Sequence, residues 1–108
     1  MNKIQVKPMS INSVFQGRRF RVKAYDDYEL LVRSLLPKIT LPDAPYEVFI
    51  NYGFSSKAAD IDNPTKPFID ILQKHYGFND REIFKLTLIK ELVKKGDEYV
   101  EFSIEHYV

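Results

Sequence analysis

Residues 46 to 54, Y-E-V-F-I-N-Y-G-F, set Tyr46, Val48, Ile50, Tyr52 and Phe54 in alternation with Glu47, Asn51 and Gly53. A period of two, rich in β-branched and aromatic residues, belongs to a strand with one face on a core. A second run of the same kind closes the chain, where Val100, Phe102, Ile104 and His106 alternate with Tyr99, Glu101, Ser103 and Glu105. Between them the period changes: Phe68, Ile71, Leu72 and Tyr76 make the apolar face of a helix that Gly77 ends. In 108 residues with 44% hydrophobic content, such a mixture is satisfied by one sheet carrying helices over one core.

The remaining segments extend this pattern. Residues 3 to 7 alternate, with Ile4 and Val6 inward, until Pro8 stops the strand. In N-S-V-F-Q-G-R-R-F-R-V, residues 12 to 22, Gln16-Gly17 signals a turn and Arg19 and Arg21 alternate with Phe20 and Val22, a ribbon with a guanidinium row. Tyr25, Tyr28, Leu31, Val32 and Leu35 mark a helix over residues 24 to 36, ended by Pro37. Residues 82 to 93 fit a helix or a strand; Phe84, Leu86 and Leu88 against Lys85 and Thr87 favour a strand, expected to form a hairpin with the last one across the turn at Lys94 to Asp97. The expected fold is a single α+β domain, with two helices packed on a mostly antiparallel or mixed sheet. His106 then falls on an apolar face as a core histidine, and His75 at a helix end.

Composition removes several chemistries. With no cysteine there is no disulfide, thiolate zinc site or cysteine nucleophile. No stretch suits a signal peptide or approaches the roughly 20 apolar residues of a membrane span, so an intracellular protein with no membrane partner is expected. The net charge of +1 hides an asymmetry: Lys3, Lys7, Arg18, Arg19, Arg21 and Lys23 stand in the first 25 residues with no acid. Such a run attracts phosphates or simply guards a strand edge.

The acids gather elsewhere. In D-I-D-N-P-T-K-P-F-I-D, residues 60 to 70, Asp60 and Asp62 stand two apart, and in an extended segment they would point the same way. Asn63 is a candidate helix cap, with the helix starting at Pro64 or Pro67. Asp62, Lys66 and Asp70 recur every four residues and would stack with the lysine between two carboxylates. An EF-hand is excluded, because Pro64, Thr65 and Ile71 stand where its loop needs a ligand, a glycine and a glutamate. No Walker loop or nucleophile elbow is present. Two accounts remain. In one, Asp60, Asp62 and Asp80 hold a hard cation, Mg2+ or Mn2+, beside a phosphodiester, and Lys66 steadies a phosphate oxygen or the attacking water. In the other, these are turn, cap and ion-pair residues of an ordinary helix.

The pattern D-I-D-N-x-x-K-x-x-x-D in residues 60 to 70, followed by G-F-N-D in residues 77 to 80 and then a strand, resembles the RusA-like Holliday junction resolvases. The order of Pro8, Asn12, the basic ribbon and the first helix is similar to that family too. The resemblance implies a β-α-β-α-β-β mixed sheet and a homodimeric, Mg2+-dependent endodeoxyribonuclease (Mn2+ being an alternative ion) that resolves four-way DNA junctions by paired nicks. It is expected inside the cell, from a cellular, phage or prophage genome. It implies that Asp60, Asp62 and Asp80 bind the metal, that Lys66 is the catalytic lysine, and that Asp70 and Asn63 support them. Arg18, Arg19, Arg21, Lys23, Lys57 and Lys66 are then the candidate DNA contacts. Two positions depart from the family pattern: Asn79, where an acidic pair is usual, and Pro64, where an apolar residue is usual. The alternative is a non-catalytic DNA-binding or protein-interaction module of the same fold.

Overall fold

In the computed structural model, which describes residues 1–9 and 23–108, the 46–54 run lies in the middle of the sheet. The elements are β1 (Asn2–Ile4), α1 (Lys23–Leu35), β2 (Tyr46–Phe54), α2 (Thr65–Tyr76), a 3-10 turn (Asp80–Glu82), β3 (Ile83–Leu92) and β4 (Tyr99–His106). The strand order is β1-β4-β2-β3. β4 runs antiparallel to both β1 and β2, whereas β3 runs parallel to β2. The fold is therefore the expected α+β class with a mixed sheet. The basic ribbon, with Arg18, Arg19 and Arg21, lies outside the described residues.

β3 and β4 do not form a hairpin; β2 separates them. The physical reason lies in where apolar surface can be buried. Every alternate side chain of β2 is buried, and Val48, Ile50 and Tyr52 are fully so, whereas β3 has no fully buried residue. The strand with most to bury takes the centre, and the weaker one takes the edge. A helix crossover makes the β2-to-β3 step parallel, because two parallel neighbours cannot be joined by a tight turn. The turn at Lys94 to Asp97 forms as expected, closed by Asp97 N–H to the Lys94 carbonyl at 2.9 Å, but it carries the chain past β2.

Both helices rest on the face bearing Val48, Ile50, Tyr52, Val100 and Phe102, and Tyr25, Tyr28, Val32, Phe68, Ile71 and Leu72 complete the core. Each fully buried side chain of this size contributes about 1.5–3 kcal/mol. Phe68 meets Phe102 edge-on at 5.7 Å between ring centroids. Leu31 and Leu35, expected in the α1 stripe, are instead exposed; Leu36, one residue past the helix, takes the inner position. His106, expected in the core, is exposed as well: at the last position of β4, its Nδ1 lies 2.7 Å from the Asp43 carbonyl. On the opposite face of the sheet Tyr99 lies flat on Gly53, where a Cβ would collide with the ring. No helix among the described residues is long and apolar enough to cross a membrane.

Candidate functional site

The β2-α2-β3 crossover supplies the whole acidic stretch. α2 begins at Thr65 with Pro64 in the cap position and no side-chain cap bond. Proline has no N–H to lose there and its φ is already near helical. Asn63, expected as the cap, instead donates from its amide to Asp60 Oδ2 at 3.0 Å. The helix start is pinned from below: the hydroxyls of Tyr52 and Thr65 are 2.7 Å apart in the interior, joining β2 to the first turn. At the other end Gly77 adopts φ 77°, the left-handed cap that glycine takes without strain, and its N–H bonds the Gln73 carbonyl at 2.9 Å.

Residues 61 to 64 are a bend and a turn rather than extended chain, so the i, i+2 rule that would align Asp60 with Asp62 does not apply. Asp62 lines a cleft of about 520 Å³ together with Lys66, Asp80 and the apolar side chains Phe84, Leu86 and Leu88. Asp60 lines a neighbouring recess of about 290 Å³ with Lys7, Ser55, Ser56 and Asn63. The loop before them is tied down by Lys90, whose ammonium donates to the carbonyls of Lys57 and Ala59. The Lys57 side chain is exposed on this loop, and Lys23 is paired with Asp27 at 2.9 Å.

Lys66 is the focus of the cleft. Its Nζ lies 2.7 Å from Asp70 Oδ1 and 3.9 Å from Asp80 Oδ2. The lysine thus stands between two carboxylates, as the spacing suggests, but the second is Asp80 rather than Asp62. A cation in the first turn of a helix opposes the helix dipole, so helix stability alone does not ask for a lysine here. The hydrogen bond to Asp70 raises the Lys66 pKa above its ordinary value; desolvation works against it, and the Asp70 and Asp80 charges add smaller upward pushes. The group stays an ammonium at neutral pH, so it offers a positive charge and no base.

Asp80 is held by two devices. Its backbone N–H donates to the Gln73 side-chain carbonyl at 2.8 Å, while the Gln73 amide reaches Asp70 at 3.3 Å. The turn itself is closed by a reciprocal cap, in which Asn79 Oδ1 accepts from Arg81 N–H at 3.0 Å and Glu82 accepts from Asn79 N–H at 3.1 Å. Asn79 therefore caps the turn that carries Asp80. Gln73, Lys90 and the Tyr52–Thr65 pair escaped the sequence reading. Gln73 had a signal, standing three residues after Asp70 on one helix face; Lys90 had one too, a lone cation on the side of β3 shared with Leu86 and Leu88.

The donor chemistry suits a hard divalent ion. Mg2+ prefers carboxylate oxygens, is commonly held by only one or two of them, and keeps several waters; Asp62 and Asp80, which border one cleft, are oxygen donors of that kind. Among the described residues, no three of His, Cys, Asp or Glu are grouped so as to hold a metal, and Asp60 lines a different recess from Asp62 and Asp80.

No family model matches this chain. Nor does any curated protein. The functional reading therefore rests on the residues themselves and on the motif they spell.

Proposed function

We propose that the chain is a Mg2+-dependent, structure-selective endodeoxyribonuclease of the RusA-like kind, hydrolysing phosphodiesters at four-way DNA junctions as a homodimer. The observation that carries this reading is the seat of Lys66: an ammonium held by Asp70 and Asp80 at the mouth of the cleft that Asp62 also lines. Asp62 and Asp80 would hold the ion, with Asp60 joining from its loop. Bound there, Mg2+ supplies Lewis acidity and neutralises charge building on the phosphate oxygens. Lys66 binds a non-bridging phosphate oxygen and keeps its proton, and Asp70 holds that ammonium in place. Gln73 and the Asn79 cap fix Asp80 before substrate arrives. Arg18, Arg19, Arg21, Lys23 and Lys57 supply cations for backbone phosphates, which makes binding steeply salt-dependent and largely indifferent to base sequence. Manganese, with the same preference for oxygen ligands, is expected to substitute. Action on chromosomal or phage DNA places the protein inside a cell.

A second reading keeps the fold and DNA binding without turnover. Two placements favour it: Asp60 in a separate recess and Asn79 engaged as a cap. The two readings are separated by incubating labelled four-way junction and matched linear duplex with the protein in Mg2+ or EDTA, beside Asp62→Asn. The nuclease reading expects Mg2+-dependent cuts in the junction, absent from the variant, which should still bind. Binding of junction without cleavage under any of these conditions would establish the second reading instead.

A further inference from the structure

The outer strand β3 exposes an unusual amount of apolar surface for its position. Phe84 is 65% exposed, Leu92 50%, Leu86 41% and Ile89 41%. One edge of β3 is bonded to β2, and among the described residues the other edge has no ladder partner. An edge this long and apolar is a template for another strand unless something blocks it. The residues that usually block an edge are lysines, and both lysines of β3 are engaged within their own chain: Lys85 with Glu47 at 3.4 Å, and Lys90 with the carbonyls of Lys57 and Ala59.

We infer that this edge pairs with β3 of a second copy of the same chain, antiparallel, about a two-fold axis normal to the sheet and centred on Leu88. The strand reads I-F-K-L-T-L-I-K-E-L from Ile83 to Leu92. Centred on Leu88, Phe84 faces Leu92 of the other copy, Lys85 faces Glu91, Thr87 faces Ile89 and Leu86 covers the Lys90 stem, each twice by symmetry. At the ends apolar meets apolar, and Lys85 and Glu91, which also meet Glu47 and Tyr99 of their own chain, come together as opposite charges. Centring on Thr87 instead puts Phe84 against Lys90 and Ile83 against Glu91; centring on Ile89 puts Lys85 against Val93 and Thr87 against Glu91. Only the Leu88 register satisfies both the ends and the charged pair, and cross-strand pairs of this kind are what stabilise a ladder.

This inference takes from the nuclease reading only the expectation of a dimer, and it gives that dimer its surface. A two-fold normal to the sheet leaves both helix layers on the same side. The cleft lined by Asp62, Lys66 and Asp80 borders β3 through Phe84, Leu86 and Leu88, so the two clefts flank the axis and open toward one side, as an object with two-fold symmetry requires.

The test needs no DNA, so its outcome is independent of whether the protein cuts. Sedimentation of the full chain should give twice the 12.7 kDa monomer mass. Lys85→Glu, which sets carboxylates face to face twice, should weaken the dimer about tenfold. Adding Glu91→Lys should restore it, although the Glu47 clash inside each chain remains and the Tyr99 hydroxyl loses its acceptor; that restoration is the signature of pairing across the axis. Because the chain has no cysteine, Phe84→Cys and Leu92→Cys chains can be mixed under oxidation. The mixture should form a disulfide-linked pair, and neither chain alone should do so. A monomer in sedimentation, or a dimer whose mixed chains do not cross-link and whose charge swap does not rescue, overturns the inference; the latter would place the interface on another surface, such as the exposed Leu30, Leu31 and Leu35 of α1.

Discussion

The Gln73 side chain accepts the backbone N–H of Asp80 at 2.8 Å, so the third turn of α2 sets the position of an acid that lies beyond the end of the helix. Gln73→Ala removes this tie and leaves the N–H to water. The expected cost is about 1 kcal/mol in stability and a fall of about 10- to 100-fold in Mg2+ affinity. Denaturant unfolding and metal titration by calorimetry report the two separately. An unchanged metal affinity would show that Gln73 merely braces the fold.

Lys66→Met keeps the length of the side chain and removes its charge. If Lys66 holds a phosphate oxygen, cleavage falls by about 10²- to 10³-fold, the usual effect of losing one well-placed donor. Stability should move by no more than about 0.5 kcal/mol, because the pair with Asp70 is exposed. Junction cleavage under single-turnover conditions, paired with urea unfolding, tests both halves.

Much of this was legible in the sequence. The β2 and β4 alternation, the left-handed glycine after α2, and the four-residue spacing from Lys66 to Asp70 are consequences of local geometry, and the structure follows them. The hairpin between β3 and β4 failed for a non-local reason: which strand sits beside which depends on the sum of buried surface over the sheet, and no window of ten residues contains that sum. The chain bends and turns at residues 61 to 64, so the rule that aligns alternate residues of an extended strand gives no placement for Asp60 relative to Asp62. Asp80 beside Lys66 could be named from the motif, but its approach along the flank of α2 depends on Gln73 and the Asn79 cap, a folding-back that periodicity does not encode.

Gly53→Ala places a methyl group under the Tyr99 ring. The expected loss is about 1–3 kcal/mol. It should be markedly smaller in a Tyr99→Ala background, since the two positions share one contact and cannot be additive. A thermodynamic cycle from four urea curves measures the coupling.

Tyr99 also sets an alkaline limit. Its hydroxyl donates to Glu91, and burial, followed by that carboxylate, pushes its pKa from 10.0 up to about 12. In the unfolded chain the phenol ionises first. Its contribution to stability is therefore whole below pH 10 and is lost as pH rises through 12. Burial raises Tyr28 and Tyr52 in the same direction, so Tyr99→Phe should reduce the fall in unfolding free energy between pH of about 10 and 12 without abolishing it. Unfolding curves at several alkaline pH values decide this; a slope unaltered by the substitution would remove Tyr99 from the account.

All the carboxylates and the lysine of the candidate site come from one unbroken length of chain between Asp60 and Asp80, bounded by β2 and β3. The interval carries Phe68, Ile71 and Leu72 of the core, so it opens as one cooperative unit. Site integrity is then an all-or-none property of that unit, and the packing that closes the core also holds the site together. Amide exchange at Phe68, Gln73 and Asp80, whose N–H groups are all bonded, should consequently report a single opening free energy, no higher than that of Phe102 in β4.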